Sequence, residues 1–134
     1  MKSEVFCPVC EEEIKFKDGV PEDGTLINCA ACGSRLEVKE QDSRINVERL
    51  SQPREEEIRG RIDVFARLQG FKLSERKEKI IAGLIRKYEK FGDFYCPCRL
   101  ENITDNICPC KETRMNILTK DGGCHCGLFY KEKI

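Results

Sequence analysis

Ten cysteines in a chain of 134 residues constrain this sequence more than any other feature. They form two sets, and the 63 residues between Cys32 and Cys96 contain no cysteine. The chain does not open with a basic segment followed by a short apolar stretch, so we expect a cytoplasmic protein whose thiols stay reduced. Metal ligation or redox chemistry then explains the cysteines better than a scaffold of structural disulfides.

The charge of the whole chain identifies no partner, because 24 basic and 24 acidic side chains cancel. Residues 1–52 carry 7 basic and 11 acidic groups, which argues against contacts between this segment and nucleic-acid phosphates. No apolar run approaches the length of a membrane span. We therefore expect a soluble protein that binds neither nucleic acid nor membrane.

The first cysteine set consists of two Cys-x-x-Cys pairs, CPVC and CAAC, with 18 residues between them. Each pair turns back so that two thiolates converge on one ion, and two such pairs complete a tetrahedron. We predict a mononuclear metal site with the ligands Cys7, Cys10, Cys29 and Cys32. Tetrahedral thiolate sites suit zinc and iron alike.

This segment resembles a zinc ribbon, close to the small acidic carrier proteins of lysine biosynthesis. In its ligand pattern it also resembles rubredoxin. It differs from rubredoxin by a shorter spacer and by Glu11, which stands where the first metal-binding turn usually has glycine.

The spacing of apolar residues changes along the chain. Short runs between turn residues predict strands over the first fifty residues (VFCP, EIKFK, TLINC, RLEVKE and INVERL). Helical spacing then predicts one helix that ends at Gly70 and a second that starts after an N-cap at Ser74 and ends at Gly92. The sequence therefore predicts an α+β fold, with a small β-rich metal ribbon over residues 1–52 and an α-helical domain over residues 53–134.

The second set contains six cysteines in three Cys-x-Cys units, CPC at 96–98, CPC at 108–110 and CHC at 124–126. A four-iron, four-sulfur (4Fe–4S) cluster uses four thiolates, which leaves two thiols beside it. Proline favours an extended chain, so the two cysteines of one Cys-Pro-Cys unit lie about 6.5 Å apart, too far for a disulfide. In the natural arrangement, at least two of the units each supply one cluster ligand and one thiol that lies near the cluster without binding it. The spacing does not say which cysteine of a unit binds the cluster.

The order of these units resembles the catalytic chain of ferredoxin:thioredoxin reductase, whose signature is two Cys-Pro-Cys units followed by Cys-His-Cys. The resemblance extends back through IIAGLIRKYEKFGDFYCPCR and covers roughly residues 55 to 131. The first spacer is shorter and the second longer than in plant-type enzymes, which also use a separate small subunit instead of a fused ribbon. The fusion is similar to the ferredoxin:disulfide reductases of anaerobic microbes, which carry a rubredoxin-like domain.

The resemblance implies a role for each of the six cysteines. The implied ligands of a 4Fe–4S cluster are Cys96, Cys108, Cys110 and Cys124. It implies further that Cys98 and Cys126 form a redox-active disulfide, that Cys98 attacks the target disulfide, and that His125 moves protons. Tyr95 and Tyr130 are alternatives for proton transfer. The implied electron donor is ferredoxin, and the implied acceptor is a thioredoxin- or glutaredoxin-like protein.

Two other functions fit part of the pattern. A non-enzymatic zinc protein that binds nucleic acid or a protein would use both cysteine sets as structural sites, but six thiols exceed one tetrahedral site without making two. A simple electron-transfer protein of ferredoxin type would leave two cysteines unexplained. For the reductase, an iron in the ribbon would be useful as an entry point for electrons. We therefore hypothesise a rubredoxin-type iron there, with zinc as the alternative.

Overall fold

The computed structural model describes residues 5–16, 19, 21–118, 122–124 and 127–131. Its architecture is mixed α+β, with a β-rich N-terminal part followed by a helical part, and this confirms the predicted fold class. No helix in the described ranges is both long enough and apolar enough to cross a membrane.

The N-terminal part is built on a three-stranded antiparallel sheet. Its strands are β1 (Leu26–Asn28), β2 (Arg35–Gln41) and β3 (Arg44–Arg49), in the order β1-β2-β3. A two-residue turn connects β2 to β3, with φ of 53° at Asp42 and 64° at Ser43. Positive φ at both turn residues matches the twist of the flanking strands, so this hairpin is tight and regular.

The first two predicted strands are shorter than expected. VFCP and EIKFK meet only at an isolated antiparallel bridge between Phe6 and Glu13. The chain between them curls into a turn that the Glu11 amide closes on the Cys7 carbonyl at 2.9 Å. The metal-binding turn therefore occupies residues that would otherwise extend the strand pairing.

Two helices form the centre of the second part, at the positions that the apolar spacing predicts. They are α1 (Arg54–Gln69) and α2 (Lys77–Phe91). Each ends at a glycine in the left-handed conformation, Gly70 with φ of 75° and Gly92 with φ of 87°. Glycine adopts this conformation without steric cost, so the predicted stop signals act as expected.

The helices differ from the prediction in two details. Helix α2 begins at Lys77, and the Ser74 hydroxyl accepts a hydrogen bond from the Arg76 amide at 3.3 Å. Ser74 therefore caps the turn before the helix. Leu68 and Phe91 are 55% and 46% exposed, because the last turn of each helix extends beyond the core.

Short elements complete the second part, and its described cysteines lie on the loops between them. They are β4 (Lys72–Leu73), a 3-10 turn (Thr104–Asn106), α3 (Lys111–Arg114) and β5 (Phe129–Tyr130). Strand β4 pairs antiparallel with β5, which returns the C-terminal segment to the connection between α1 and α2.

Two hydrophobic cores lie in contact. The helical core includes Ile58, Ile62, Phe65, Leu84, Phe94, Leu128 and Phe129. The ribbon core includes Val5, Val9, Leu36, Val38 and Val47. Ile107, from the helical part, is buried in the ribbon core, and Tyr95 packs against it.

The ribbon and α1 also approach at the level of the backbone. A Cβ atom on Gly33 would lie 2.5 Å from the Arg61 carbonyl oxygen and 2.8 Å from the Phe65 nitrogen. Only a residue without a side chain fits such an approach. Arg49 at the end of β3 adds salt bridges to Glu57 and Asp93.

Candidate active site and metal centre

The four N-terminal cysteines converge on one point. Their sulfur atoms all lie within 4.8 Å of one another, and all four residues are buried. The Sγ atoms of Cys10 and Cys29 are 3.7 Å apart, and those of Cys7 and Cys32 are 3.8 Å apart. Metal–sulfur bonds of about 2.3 Å in a tetrahedron place the sulfurs about 3.8 Å apart. These thiols therefore fit a single tetrahedral ion.

Two equivalent turns bring the ligand pairs together. The Glu11 amide donates to the Cys7 carbonyl at 2.9 Å, and the Gly33 amide donates to the Cys29 carbonyl at 2.7 Å. Glu11 has φ of 68° and Gly33 has φ of 83°. Glu11 thus adopts the left-handed conformation that glycine usually supplies at this position.

The electrostatics of the four thiols favour a cation. Hydrogen bonds from the neighbouring thiols, first that of Cys10, lower the pKa of Cys32, which also shares a 3.0 Å hydrogen bond with the Ser34 hydroxyl. The pKa of Cys10 is raised, first by its hydrogen bond with Cys29. Four adjacent thiols cannot all ionise without a positive charge, and a metal ion provides that charge.

The second cysteine set divides by exposure. Four members are buried, Cys96, Cys108, Cys110 and Cys124. Cys98 is the one exposed cysteine among the nine that the structure describes. Three of the buried ones, Cys96, Cys108 and Cys124, belong to the helical core.

The buried thiols of the second set are not spaced for one ion. Among the described residues, only the N-terminal cysteines bring three or more ligand atoms within single-ion distance. A 4Fe–4S cluster binds each cysteine at a different iron, so its ligands lie farther apart than those of one ion. Cys108 still feels the charges of Cys96, Cys124 and Cys110, so the four thiols surround one region. This donor set suits a polynuclear iron–sulfur cluster.

A short antiparallel pairing positions Cys96 and Cys108. The Cys96 amide donates to the Asn106 carbonyl at 2.8 Å, and the Cys108 amide donates to the Phe94 carbonyl at 2.9 Å. Both cysteines therefore have a fixed backbone, although they lie outside any long element.

Side chains alternate across this pairing, as they do in any strand. Cys96 and Cys108 point into the helical core, whereas Tyr95 and Ile107, which form a bridge with each other, pack on the ribbon core. Each of these two cysteines thus neighbours in sequence a residue that contacts the ribbon.

The other two buried sulfurs accept or share hydrogen bonds. The Cys110 sulfur shares one of 3.2 Å with the Thr113 hydroxyl, and the Cys124 sulfur accepts one of 3.3 Å from the Phe129 amide. Hydrogen bonds to cluster sulfurs are one of the means by which a protein sets the reduction potential.

The charge of Arg76 acts on Cys98. Partial burial raises the pKa of Cys98, the Cys96 thiol raises it further, and the positive charge of Arg76 lowers it. The Arg76 guanidinium also lies 3.8 Å from where a Cβ atom on Gly127 would be. The sequence analysis did not single out Arg76, because an interaction between residues 76 and 98 depends on how the intervening chain folds.

His125 and Cys126 lie outside the described residues. Their proposed roles, and the Cys98–Cys126 disulfide, stay predictions. Of the two tyrosines considered for proton transfer, Tyr95 packs on the ribbon core, and Tyr130 lies in β5.

A groove of about 520 Å³ opens beside Cys98. Leu100, Ile103 and Met115 contribute apolar side chains to its lining. Leu100 is 98% exposed and Met115 is 61% exposed. Exposed apolar side chains that line a groove are typical of a protein contact surface.

Comparison with known proteins gives a family match for each part of the chain. A search of curated proteins finds no match. Residues 5–52 match the family model "Alpha-aminoadipate carrier protein LysW-like, globular domain", a zinc ribbon, in agreement with the resemblance to the lysine-biosynthesis carriers. Residues 51–134 match the family model "Ferredoxin thioredoxin reductase catalytic beta chain". This match covers more than half of the chain, so the chain belongs to the ferredoxin thioredoxin reductase catalytic beta chain family and is an oxidoreductase of that kind.

Proposed function

We propose that this protein is a cytoplasmic, ferredoxin-dependent disulfide reductase that acts on thioredoxin- or glutaredoxin-like proteins. Residues 1–52 would form a metal ribbon, and residues 53–134 would form the catalytic domain. The proposed ligands of a 4Fe–4S cluster are Cys96, Cys108, Cys110 and Cys124. Cys98 and Cys126 would form the redox-active disulfide.

The observation that carries this proposal is the difference in exposure between Cys98 and the other cysteines. Cys98 is exposed, whereas the four proposed ligands are buried. A thiolate that attacks a disulfide on another protein must reach the surface. Cluster ligands, in contrast, benefit from exclusion of solvent, which also helps to set the potential.

The proposed reaction exchanges one disulfide for another. The Cys98 thiolate attacks one sulfur of the target disulfide and forms a mixed disulfide, while the other target sulfur leaves as a thiolate and takes up a proton. The Cys126 thiolate then attacks the Cys98 sulfur, which releases the second target thiol and forms the Cys98–Cys126 disulfide. Two electrons from ferredoxin restore the dithiol. When bound, the cluster supplies these electrons one at a time. We assign proton delivery to His125, whose unperturbed pKa suits neutral pH.

The experiment that tests this function is anaerobic purification followed by metal, sulfide and thiol analysis. We expect about four iron and four sulfide per chain for the cluster. Alkylation after mild reduction should then label two additional thiols, Cys98 and Cys126. A colourless protein with two zinc ions per chain would instead favour the non-enzymatic zinc protein. No gain of reactive thiols would favour simple electron transfer.

The metal of the ribbon decides what the ribbon does. The match to a zinc ribbon family favours zinc, which would make the site structural. A rubredoxin-type iron would instead let the ribbon pass single electrons from ferredoxin to the cluster. Visible spectra before and after dithionite, with iron and zinc analysis of the ribbon, separate the two roles. One zinc in a colourless ribbon would exclude the relay.

Leu100 is the residue we expect to contribute most to binding of the protein acceptor, because it is 98% exposed and lies two residues from Cys98. Leu100→Ser should raise the KM for the acceptor about tenfold, since one buried apolar contact at an interface is worth about 1–2 kcal/mol. The rate with a small aromatic disulfide should not change. Leu68→Ser, which alters an exposed leucine of α1, is the matched control. Equal effects of both substitutions would argue against a contact at the groove.

A further inference from the structure

Arg61 is the most deeply buried charged residue that the structure describes. It lies in the middle of α1 and is 1% exposed, and its neighbours on the helix, Ile58, Ile62 and Phe65, are core residues. Moving a guanidinium out of water costs several kcal/mol unless partners compensate. A charge in this position therefore needs a structural or chemical reason.

The contacts of Arg61 point toward the cysteines. One terminal nitrogen donates to the Glu57 carboxylate at 3.1 Å, and the other donates to the Cys108 carbonyl at 3.2 Å. The guanidinium lies 5.3 Å from the centre of the Phe94 ring, and the Phe94 carbonyl accepts from the Cys108 amide. The Cys108 backbone is thus held on both its N–H and its C=O.

The charges around Arg61 form an ordered series. Arg49 binds Asp93 with two hydrogen bonds of 3.1 and 3.0 Å and also contacts Glu57. Glu57 in turn binds Arg61. The series therefore runs from Asp93 through Arg49 and Glu57 to Arg61, and its last charge, at the Cys108 carbonyl, is positive.

One donor of Arg61 has no partner among the described residues. Its Nε–H is buried and makes no hydrogen bond. An unpaired N–H on a buried cation is costly, and its usual explanation is a partner that the protein atoms do not supply. Because Arg61 also contacts the backbone of the proposed ligand Cys108, an anionic cluster would be such a partner.

We propose that Arg61 is a positioning residue for the cluster, an inference that rests on the proposed function. Its side chain holds the Cys108 backbone and places a fixed positive charge beside the thiolate ligands. A cluster with thiolate ligands is anionic and gains a further negative charge on reduction, so a buried cation favours the reduced form.

The test compares cluster potentials in the loaded, full-length protein. Arg61→Met removes the charge and nearly keeps the volume, so the midpoint potential should shift to a more negative value in an anaerobic redox titration followed by visible and electron paramagnetic resonance spectra. Arg61→Lys retains the charge but not the planar guanidinium that makes two hydrogen bonds. The cluster potential of this variant should lie between those of Arg61→Met and the unchanged protein. Arg59→Met is the matched control, because Arg59 is on the same helix and pairs with Glu55 and Glu78. It should leave the potential unchanged.

A second variant covers the case in which Arg61→Met does not fold. Glu57→Gln combined with Arg61→Met removes both buried charges together, which avoids an unpaired carboxylate. This double substitution should also shift the cluster potential to a more negative value. An unchanged potential in either variant, at normal iron and sulfide content, overturns the inference about Arg61 alone. Absence of iron and sulfide from the unchanged protein would instead overturn the proposed function.

Discussion

Replacement of Cys98 by serine is expected to abolish disulfide reduction and to leave the cluster in place. A serine hydroxyl is not ionised at neutral pH and cannot form the mixed disulfide, so the rate should fall by a factor of about 10³ or more. Cys98 is exposed and is not among the proposed ligands, so the iron and sulfide content should be unchanged. The measurement is ferredoxin-dependent release of thiols from an oxidised thioredoxin under anaerobic conditions.

Cys110→Ser is the matched control for this substitution. Cys110 belongs to the second Cys-Pro-Cys unit, but it is buried and its sulfur contacts Thr113. We expect its replacement to lower iron and sulfide content and to weaken the visible absorption. Comparison of the two variants separates the nucleophile from a ligand. Cys98→Ser protein that reduces the acceptor at full rate would refute the role proposed for Cys98.

Local signals predicted most of the secondary structure. The two helices could be located because their apolar side chains recur at helical spacing and because Gly70 and Gly92 favour the left-handed conformation that ends a helix. The convergence of Cys7, Cys10, Cys29 and Cys32 was equally predictable, since each Cys-x-x-Cys pair forms its turn within a few residues. The run RLEVKE was predicted as a strand from its position between turn residues, and it lies in Arg35–Gln41, where Leu36 and Val38 are buried.

The contacts between distant segments could not be predicted in this way. Helix α1 contains several arginines, and helical spacing places Arg61, but not Arg59, on the face of Ile58 and Phe65. It does not predict that Arg61 is buried against Cys108 while Arg59 makes exposed ion pairs. The difference arises because the loop that carries Cys108 folds onto one face of the helix. The exposure of Cys98 beside the buried Cys96 likewise depends on how the loop that carries these two cysteines packs.

The second large effect is expected at Gly33, where the ribbon meets α1. An alanine Cβ there would lie 2.5 Å from the Arg61 carbonyl oxygen and 2.8 Å from the Phe65 nitrogen. These are backbone atoms of a helix and cannot move aside as a flexible side chain could. Alanine would also be strained at the φ of 83° that Gly33 adopts. Overpacking and left-handed strain together predict a loss of about 3–5 kcal/mol for Gly33→Ala. Thermal unfolding should shift downward by roughly 10 °C.

Gly24→Ala separates the two contributions to this loss. Gly24 is also in the ribbon and has φ of 86°, but no atom lies within 4 Å of the position of its missing Cβ. Its replacement should cost only the backbone strain, about 1–2 kcal/mol. The additional loss at Gly33 then measures the contact between the ribbon and α1. Equal losses of stability in the two variants would show that the ribbon moves independently of α1 in solution.

The contact at Gly33 also links the ribbon to the proposed cluster. Arg61 supplies both the carbonyl oxygen that excludes a side chain at Gly33 and the guanidinium that holds Cys108. A shift of α1 that makes room for alanine would therefore displace the Arg61 side chain, which holds the backbone of the proposed ligand Cys108. We expect Gly33→Ala protein to lose iron to a chelator faster than Gly24→Ala protein, with the visible absorption as the readout. Equal rates of iron loss would mean that the cluster site does not depend on where the ribbon lies.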